Sequence, residues 1–282
     1  MKIDLDKLPV YMIAGHLSQR QDLTSTYIDL WRKQIYQNEY ERIGLTDNVI
    51  EQPAIFEPHP GCGQHGLTIA NSKIWEDIVI NKIAYAMINE DDVLFHDNFR
   101  SLWDEYVAEV DRDFLYVNVG GRLRGNNSRV KDNIQDKLVH NEPTWCMHAY
   151  IISYEGAMSL LQHYYSIINM PIFMKLKHPT ELKSDLCWEN WHRRLTTADK
   201  KRTYSFNSTP KTPAMWNGYE WYSDKHRLKD KICEKYPAAS CIKRLRFCPS
   251  VGLAYQARTI NRETMELTTD FHLRKNNSLD GI

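Results

Sequence analysis

Three consecutive carboxylates, Glu90, Asp91 and Asp92, directly follow a short apolar run, Ala84–Ile88, and Asn89. A run of this length predicts a buried strand. Adjacent acids at the end of such a strand repel one another and lose hydration, so a cation or hydrogen-bond donors must compensate. A divalent ion held by one or two carboxylates keeps coordination positions for phosphate oxygens. The triplet therefore indicates a metal site of the kind that nucleotide-dependent enzymes use.

The alternative for the same triplet is a solvated turn, or the first turn of a helix, where exposed backbone amides favour negative charge. The surroundings favour the metal site. A strand precedes the acids, the apolar Val93-Leu94-Phe95 follows them, and an amphipathic helix is predicted to begin after Asp97-Asn98.

The elements around the triplet predict an α/β domain. Apolar strands alternate with helices of 3.6-residue periodicity from Pro9 to about Asn169. This order is typical of a mainly parallel sheet with helices on both faces. The predicted strands are 9–15, 54–56, 84–88, 114–119 and 149–152, and the predicted helices are 24–40, 69–82, 98–110 and 153–168.

The loop after the first strand is a second candidate for the site, because nucleotides tend to lie at the carboxyl ends of strands in open α/β sheets. Arg20 in this loop is a candidate for a base or phosphate contact, although a surface arginine fits its position equally well. Residues 122–142, rich in charged and amide side chains, are typical of a loop that covers a site.

The chain is divided at about residue 170 into a first half, 1–170, and a second half, 171–282, which completes the same domain and forms the acceptor side of its cleft. The second half contains Trp188, Trp191, Trp216 and Trp221. Their faces suit sugar rings, although core packing is the commoner use of tryptophan.

Composition narrows the classes of partner and compartment. The 36 basic residues equal the 36 acidic ones among 282, so no overall field favours nucleic acid. No apolar run approaches the roughly 20 residues of a membrane helix, and the N-terminus lacks a signal-peptide core. Six cysteines occur without a Cys-x-x-Cys pair. We therefore expect a cytoplasmic protein without a transmembrane segment or a zinc knuckle.

The segment Tyr85–Phe99 resembles the Leu-Glu-Asp-Asp-Val core of glycosyltransferase family 25, which includes lipooligosaccharide and procollagen galactosyltransferases. Within roughly residues 9–190, further segments resemble the family in the same order. They are Tyr11–Ile13 with Arg20, Gly66–Val79, Phe114–Tyr116, and His148–Ser153 with Gly156-Ala157. Two segments depart from the family: Ala70-Asn71 replace its usual Ser-His, and Ser184-Asp185-Leu186 only loosely matches its later Pro-x-Asp.

This resemblance implies a GT-A-type, Rossmann-like fold and an inverting glycosyltransferase. The donor would be a nucleoside-diphosphate sugar, UDP-linked as the leading expectation, and the acceptor a glycan on lipid or protein. The cofactor would be manganese or magnesium. The sugar stays open between hexoses and pentoses, with galactose the family's commonest.

The resemblance also implies residue roles. Asp92, with Glu90, would bind the metal, and Asp91 or Glu90 would contact the ribose. Asp185 is the candidate catalytic base, with Glu181, Glu189 and His192 as alternatives. The expected donor-binding residues are Ala14, Gly15, Arg20, Lys73, Glu90 and Asp91.

Two other functions remain open from the sequence. A sugar nucleotidyltransferase would share the scaffold and the acids, although no glycine-rich phosphate loop lies near Gly15. A catalytically inactive relative would act as a carbohydrate-binding or assembly module.

Overall fold

The structure is a computed structural model, and it describes residues 2–18, 33, 36–55, 63–96, 98–123, 138–140, 144–169, 202–206, 246–247, 251–252 and 254–258. Several residues of the sequence analysis lie outside these ranges. They are Arg20, Asp185 with its alternatives Glu181, Glu189 and His192, and the four tryptophans of the second half.

The described elements follow one another as helices and strands. Residues 36–43 are helical (α1). The other helices are α2 (Gly63–Ile80), α3 (Phe99–Ala108) and α4 (Tyr154–Ile168), with short 3₁₀ turns at Leu5–Lys7, Gly15–Leu17 and Thr46–Asn48. The strands are β1 (Val10–Ala14), β2 (Val49–Pro53), β3 (Tyr85–Glu90), β4 (Val93–Phe95), β5 (Tyr116–Leu123), β6 (Leu138–His140), β7 (Thr144–Ser153), β8 (Thr203–Phe206), β9 (Arg246–Phe247), β10 (Val251–Gly252) and β11 (Ala254–Arg258).

The main sheet has the order β2-β1-β3-β7-β5-β8-β6, with β10 paired to β5. A smaller sheet has the order β4-β11-β9. The second half of the chain therefore contributes to the main sheet, since β8 lies between β5 and β6. The boundary near residue 170 stays a prediction.

The expected mixed α/β class is confirmed, but fewer strands are parallel than the sequence analysis predicted. β1 runs parallel to β2 and β3, and β5 runs parallel to β8. β7 is antiparallel to both of its neighbours, β3 and β5. Antiparallel neighbours need no crossover helix, whereas parallel ones do. No helix was predicted between β5 and β7, which agrees with the antiparallel direction.

Side chains that alternate along the central strands supply two separate cores. Met12, Met87 and Ile151 face one core, which α1 and α3 cover. Ile13, Ile88 and Ile152 face the other, which α2 and α4 cover. Successive strand residues point to opposite faces, so each central strand is buried on both sides, as its nearly continuous apolar sequence indicates.

The largest difference in an individual element concerns the second strand. The sequence analysis placed it at 54–56, whereas the structure has β2 at Val49–Pro53. β2 is an edge strand, and Glu51 and Gln52 interrupt its apolar character.

No helix in the described part of the chain is long and apolar enough to span a membrane.

Candidate functional site

The carboxyl ends of β1, β2 and β3 meet at one edge of the main sheet. The last paired residues are Ile13 with Glu90 and Ala14 with Pro53. Asp91 and Asp92 form the turn that follows β3, and Gly15 begins the 3₁₀ turn that follows β1. The fold thus places the acidic triplet beside the first residue after β1.

Asp91 is buried, with 3% of its surface exposed, and its carboxylate contacts the backbone of the turn that follows β1. The Gly15 N–H donates to Asp91 Oδ2 at 2.7 Å. This hydrogen bond supplies part of the compensation that a buried carboxylate requires. It also joins the two loops that leave β1 and β3.

Glu90 and Asp91 act on opposite faces of the sheet. Glu90 is the last residue of β3 and lies two residues after Ile88. Its side chain therefore points to the same side as Ile88, which faces the core under α2 and α4. Its charge acts on Tyr150 in that core: burial raises the pKa of Tyr150 well above its ordinary value, and the Glu90 charge raises it further. Asp91 acts on Tyr36, which belongs to the core under α1 and α3. Glu90 and Asp91 therefore influence different neighbours in the two cores.

Asp92 is buried as well, at 5% exposure. Carboxylate oxygens are the donors that manganese and magnesium take, and a nucleotide site leaves further positions to phosphate and water. Asp92 and the partly buried Glu90 supply carboxylates of this kind. Within the described residues, no group of three or more His, Cys, Asp or Glu side chains could hold a metal ion.

A polar group of His16, Tyr36 and Glu51 lies next to Gly15, and the sequence analysis missed it. His16 Nε2 lies 3.3 Å from Glu51 Oε2, and the His16 side chain is 8% exposed. The Tyr36 hydroxyl donates to Glu51 Oε1. Burial raises the pKa of Tyr36, and its hydrogen bond with Glu51 raises it further, so Tyr36 stays protonated. The alternation of β2 would have revealed Glu51 had that strand been placed correctly.

Glu39 and Arg42 on α1 hold the strand that follows the triplet. The Phe95 N–H donates to Glu39 Oε2 at 3.0 Å. Arg42 Nη2 donates to Glu39 Oε2 at 2.7 Å and to the Phe95 carbonyl at 2.8 Å. Glu39 is 4% exposed, and its pairing with Arg42 compensates its burial. The turn containing the triplet is thus held at β3 on one side and at β4 on the other.

Asn71, which departs from the family's histidine, belongs to a buried hydrogen-bond network. The Trp75 indole donates to the Tyr150 hydroxyl at 3.2 Å, and that hydroxyl donates to Asn71 Oδ1 at 2.5 Å. Asn71 Nδ2 donates to the Leu67 carbonyl at 2.8 Å. All the groups in this chain of bonds are neutral and paired. The network joins α2 to β7, which is a structural task.

The predicted site residues fall into three groups. Ala14, Gly15, Glu90, Asp91 and Asp92 lie together at the edge of the sheet where β1 and β3 end. Lys73 lies exposed on α2. Arg20 and Asp185 lie outside the described residues, so their predicted roles stay predictions.

Comparisons with known proteins match a part of the chain that contains the acidic triplet. Residues 63–175 match the family model described as "Glycosyltransferase family 25 (LPS biosynthesis protein)". The mouse protein named "Inactive glycosyltransferase 25 family member 3" is 23% identical over 251 residues, which cover 79% of this chain and 39% of that protein. A mimivirus protein named "Procollagen lysyl hydroxylase and glycosyltransferase" is 24% identical over 127 residues, covering 41% of this chain and 14% of that one.

The chain thus spans only about two fifths of the length of the mouse relative. Among solved structures, a glycosyltransferase involved in glycosylation of the major capsid of PBCV-1 aligns with a TM-score of 0.39 and 10% identity. The alignment covers 72% of this chain and 82% of that one.

Proposed function

We propose that the protein transfers a sugar from a nucleoside-diphosphate sugar to a hydroxyl group of a glycan, because residues 63–175 match the glycosyltransferase family 25 model. The observation that supports this most is the burial of Asp91 and Asp92 beside Gly15, where β1 and β3 end. Buried carboxylates at that edge suit a charged ligand, because a solvated turn would leave them exposed.

We propose Asp92 and Glu90 as the ligands of a manganese or magnesium ion. When bound, the ion would neutralise charge on the diphosphate of the leaving group. Asp92 is the stronger member of the pair, because its carboxylate is buried in the turn itself. Glu90 is less buried and lies on the face of Tyr150.

The remaining chemistry is assigned to the acceptor side. Inversion at the anomeric carbon needs a group that accepts the proton of the acceptor hydroxyl on the face opposite the leaving diphosphate. Asp185 is proposed for that role, with Glu181, Glu189 and His192 as alternatives. A UDP-linked hexose or pentose is proposed as the donor, and a glycan on lipid or protein as the acceptor.

One observation favours a second function: the mouse relative is named inactive. A catalytically inactive chain would act as a carbohydrate-binding or assembly module. Such a protein would bind glycans on an array without any affinity for nucleotide or metal.

A transfer assay distinguishes the two functions. Wild-type protein is incubated with UDP-galactose, UDP-glucose and UDP-xylose, with manganese or with excess chelator, and release of UDP is measured. The enzyme is expected to release UDP only with the metal. Asp92→Ala is expected to lower the rate by about 10²–10³-fold, the effect of removing one preorganised electrostatic group.

The control for that variant is Asp104→Ala, which removes an exposed carboxylate from the middle of α3. It is expected to keep the wild-type rate. Release of UDP at full rate in chelator, or equal rates for the two alanine variants, would contradict the proposed metal site.

A further inference from the structure

We propose that Asp91 is a positioning residue, whose carboxylate fixes the backbone where the donor-binding loop begins and binds neither the metal nor the ribose. This inference rests on the proposed function, because it assigns a task within that same site. It replaces the ribose contact that the family resemblance implies for Asp91 with a contact inside the protein.

The first support is the way in which β1 and β3 separate. Their backbone pairing ends at Ile13 and Glu90, after which β3 enters its turn. Two positions after Ile13, just beyond the end of β1, the Gly15 N–H donates to the Asp91 side chain at 2.7 Å. On the other side of β1, the Ala54 N–H donates to the Ala14 carbonyl at 3.0 Å. The Asp91 carboxylate thus replaces a missing backbone acceptor, and β1 stays held on both sides to its last residue.

The second support is the helical turn that Gly15 begins. A helical turn leaves its first N–H groups without backbone partners, and a side chain before the turn usually accepts from them. Ala14 occupies that position here and has no side-chain hydrogen bond to offer. Asp91 therefore caps the Gly15–Leu17 turn from a distant part of the chain. Asp4 does the same locally at Leu5–Lys7, where its side chain accepts from the Asp6 N–H.

The third support is a second polar residue next to the same turn. His16 Nε2 lies 3.3 Å from Glu51 Oε2, and Glu51 also accepts from the Tyr36 hydroxyl. Asp91 thus holds the backbone of the turn, and Glu51 lies beside the side chain of its second residue. This arrangement preorganises the start of the loop, so nucleotide binding costs less conformational entropy.

The fourth support is the place of each acid in the chain. Glu90 is the last residue of β3, two residues after Ile88, which faces the core under α2 and α4. Asp91 lies beyond the strand, in the turn, and its carboxylate accepts from the Gly15 N–H. Glu90 and Asp92 keep the metal role, and the middle acid of the triplet keeps the strands together.

The test measures UDP and metal affinity separately in wild type, Asp91→Ala and Asp91→Asn, by titration calorimetry. Asp91→Ala leaves Gly15 without its acceptor and is expected to weaken UDP binding about tenfold, as loss of a hydrogen bond to a charged group does. Asp91→Asn keeps an oxygen that accepts from the Gly15 N–H. It is expected to restore UDP affinity to within about threefold of wild type, with manganese affinity unchanged.

A comparison of UDP with 2′-deoxy-UDP separates positioning from a ribose contact. A positioning role predicts the same preference for UDP over the deoxy nucleotide in wild type and Asp91→Ala. Loss of that preference in Asp91→Ala would assign the ribose contact to Asp91 and overturn the inference. Asp4→Ala is the matched control, since it removes a carboxylate that caps a similar turn away from the site.

The outcomes separate this inference from the proposed function. If wild type binds no nucleoside diphosphate with or without manganese, both fail. If wild type binds UDP and Asp91→Ala binds it equally well, only the inference fails. If Asp91→Ala does not fold, Asp91→Asn decides: retained manganese and UDP affinity supports positioning, and a tenfold or greater loss of manganese affinity overturns it.

Discussion

The two faces of the sheet at the end of β3 differ in how they treat polar groups. Under α2 and α4, the buried network consists of the neutral groups of Trp75, Tyr150 and Asn71, each with a partner. Under α1 and α3, the polar groups include carboxylates, Asp91 and Glu51. Neutral paired groups can be buried at little cost, whereas buried charge is costly unless it serves a purpose. The neutral Trp75–Tyr150–Asn71 network is therefore assigned to stability, and the carboxylates where β1 and β3 end, Glu90 among them, are assigned to the site.

The largest expected effect concerns the neutral face. Trp75 is fully buried in the core under α2 and α4. Trp75→Ala is expected to lower the free energy of unfolding by about 3–5 kcal/mol, because it removes a large buried side chain and leaves a cavity. Urea denaturation followed by circular dichroism measures this change.

Ile80→Ala is the control on the same helix, since Ile80 is 76% exposed. It is expected to change the free energy of unfolding by no more than about 0.5 kcal/mol. Equal losses for the two variants would show that α2 does not pack as described. They would contradict the conclusion that the core under α2 and α4 stabilises the fold.

A smaller effect is expected for the hydroxyl at the centre of the network. Tyr150→Phe leaves both the Trp75 indole N–H and Asn71 Oδ1 without their partner. We expect a loss of about 1–3 kcal/mol in the free energy of unfolding. UDP affinity at a temperature where the variant is folded should stay at the wild-type value. A loss of UDP affinity without a loss of stability would show that the Tyr150 network contributes to nucleotide binding and is not only structural.

The smallest expected effect concerns the charged face. Glu51→Gln keeps an acceptor for the Tyr36 hydroxyl but removes the charge that lies 3.3 Å from His16. Because Glu51 is 31% exposed, its pairing contributes no more than about 1 kcal/mol to stability. We expect UDP affinity to fall about threefold with little change in unfolding, measured by calorimetry and urea denaturation on the same samples. A change confined to stability would place Glu51 with the scaffold.

The sequence was sufficient for the features that depend on strand order. The predicted resemblance to family 25 is confirmed by the match over residues 63–175. Gly15 and the acidic triplet were expected near one another because parallel strands bring their carboxyl ends together, and β1 and β3 do so.

Other features depended on information that periodicity does not contain. An apolar run does not specify strand direction, so the antiparallel β7 was not foreseen. Asn71 on a helix is typical of an exposed residue, and only the position of Tyr150 explains its burial. The contact of Asp91 with Gly15 depends on the turn that follows β3, and the apolar pattern of the strand does not specify the shape of that turn.

Titration of the wild-type protein with UDP, in manganese and in excess chelator, tests the central claim most directly. The expected result is binding in manganese that is at least about tenfold weaker in chelator, and a similar loss for Asp92→Ala in manganese. UDP affinity that is the same with metal, in chelator and in Asp92→Ala would contradict a metal-assisted nucleotide site at the end of β3.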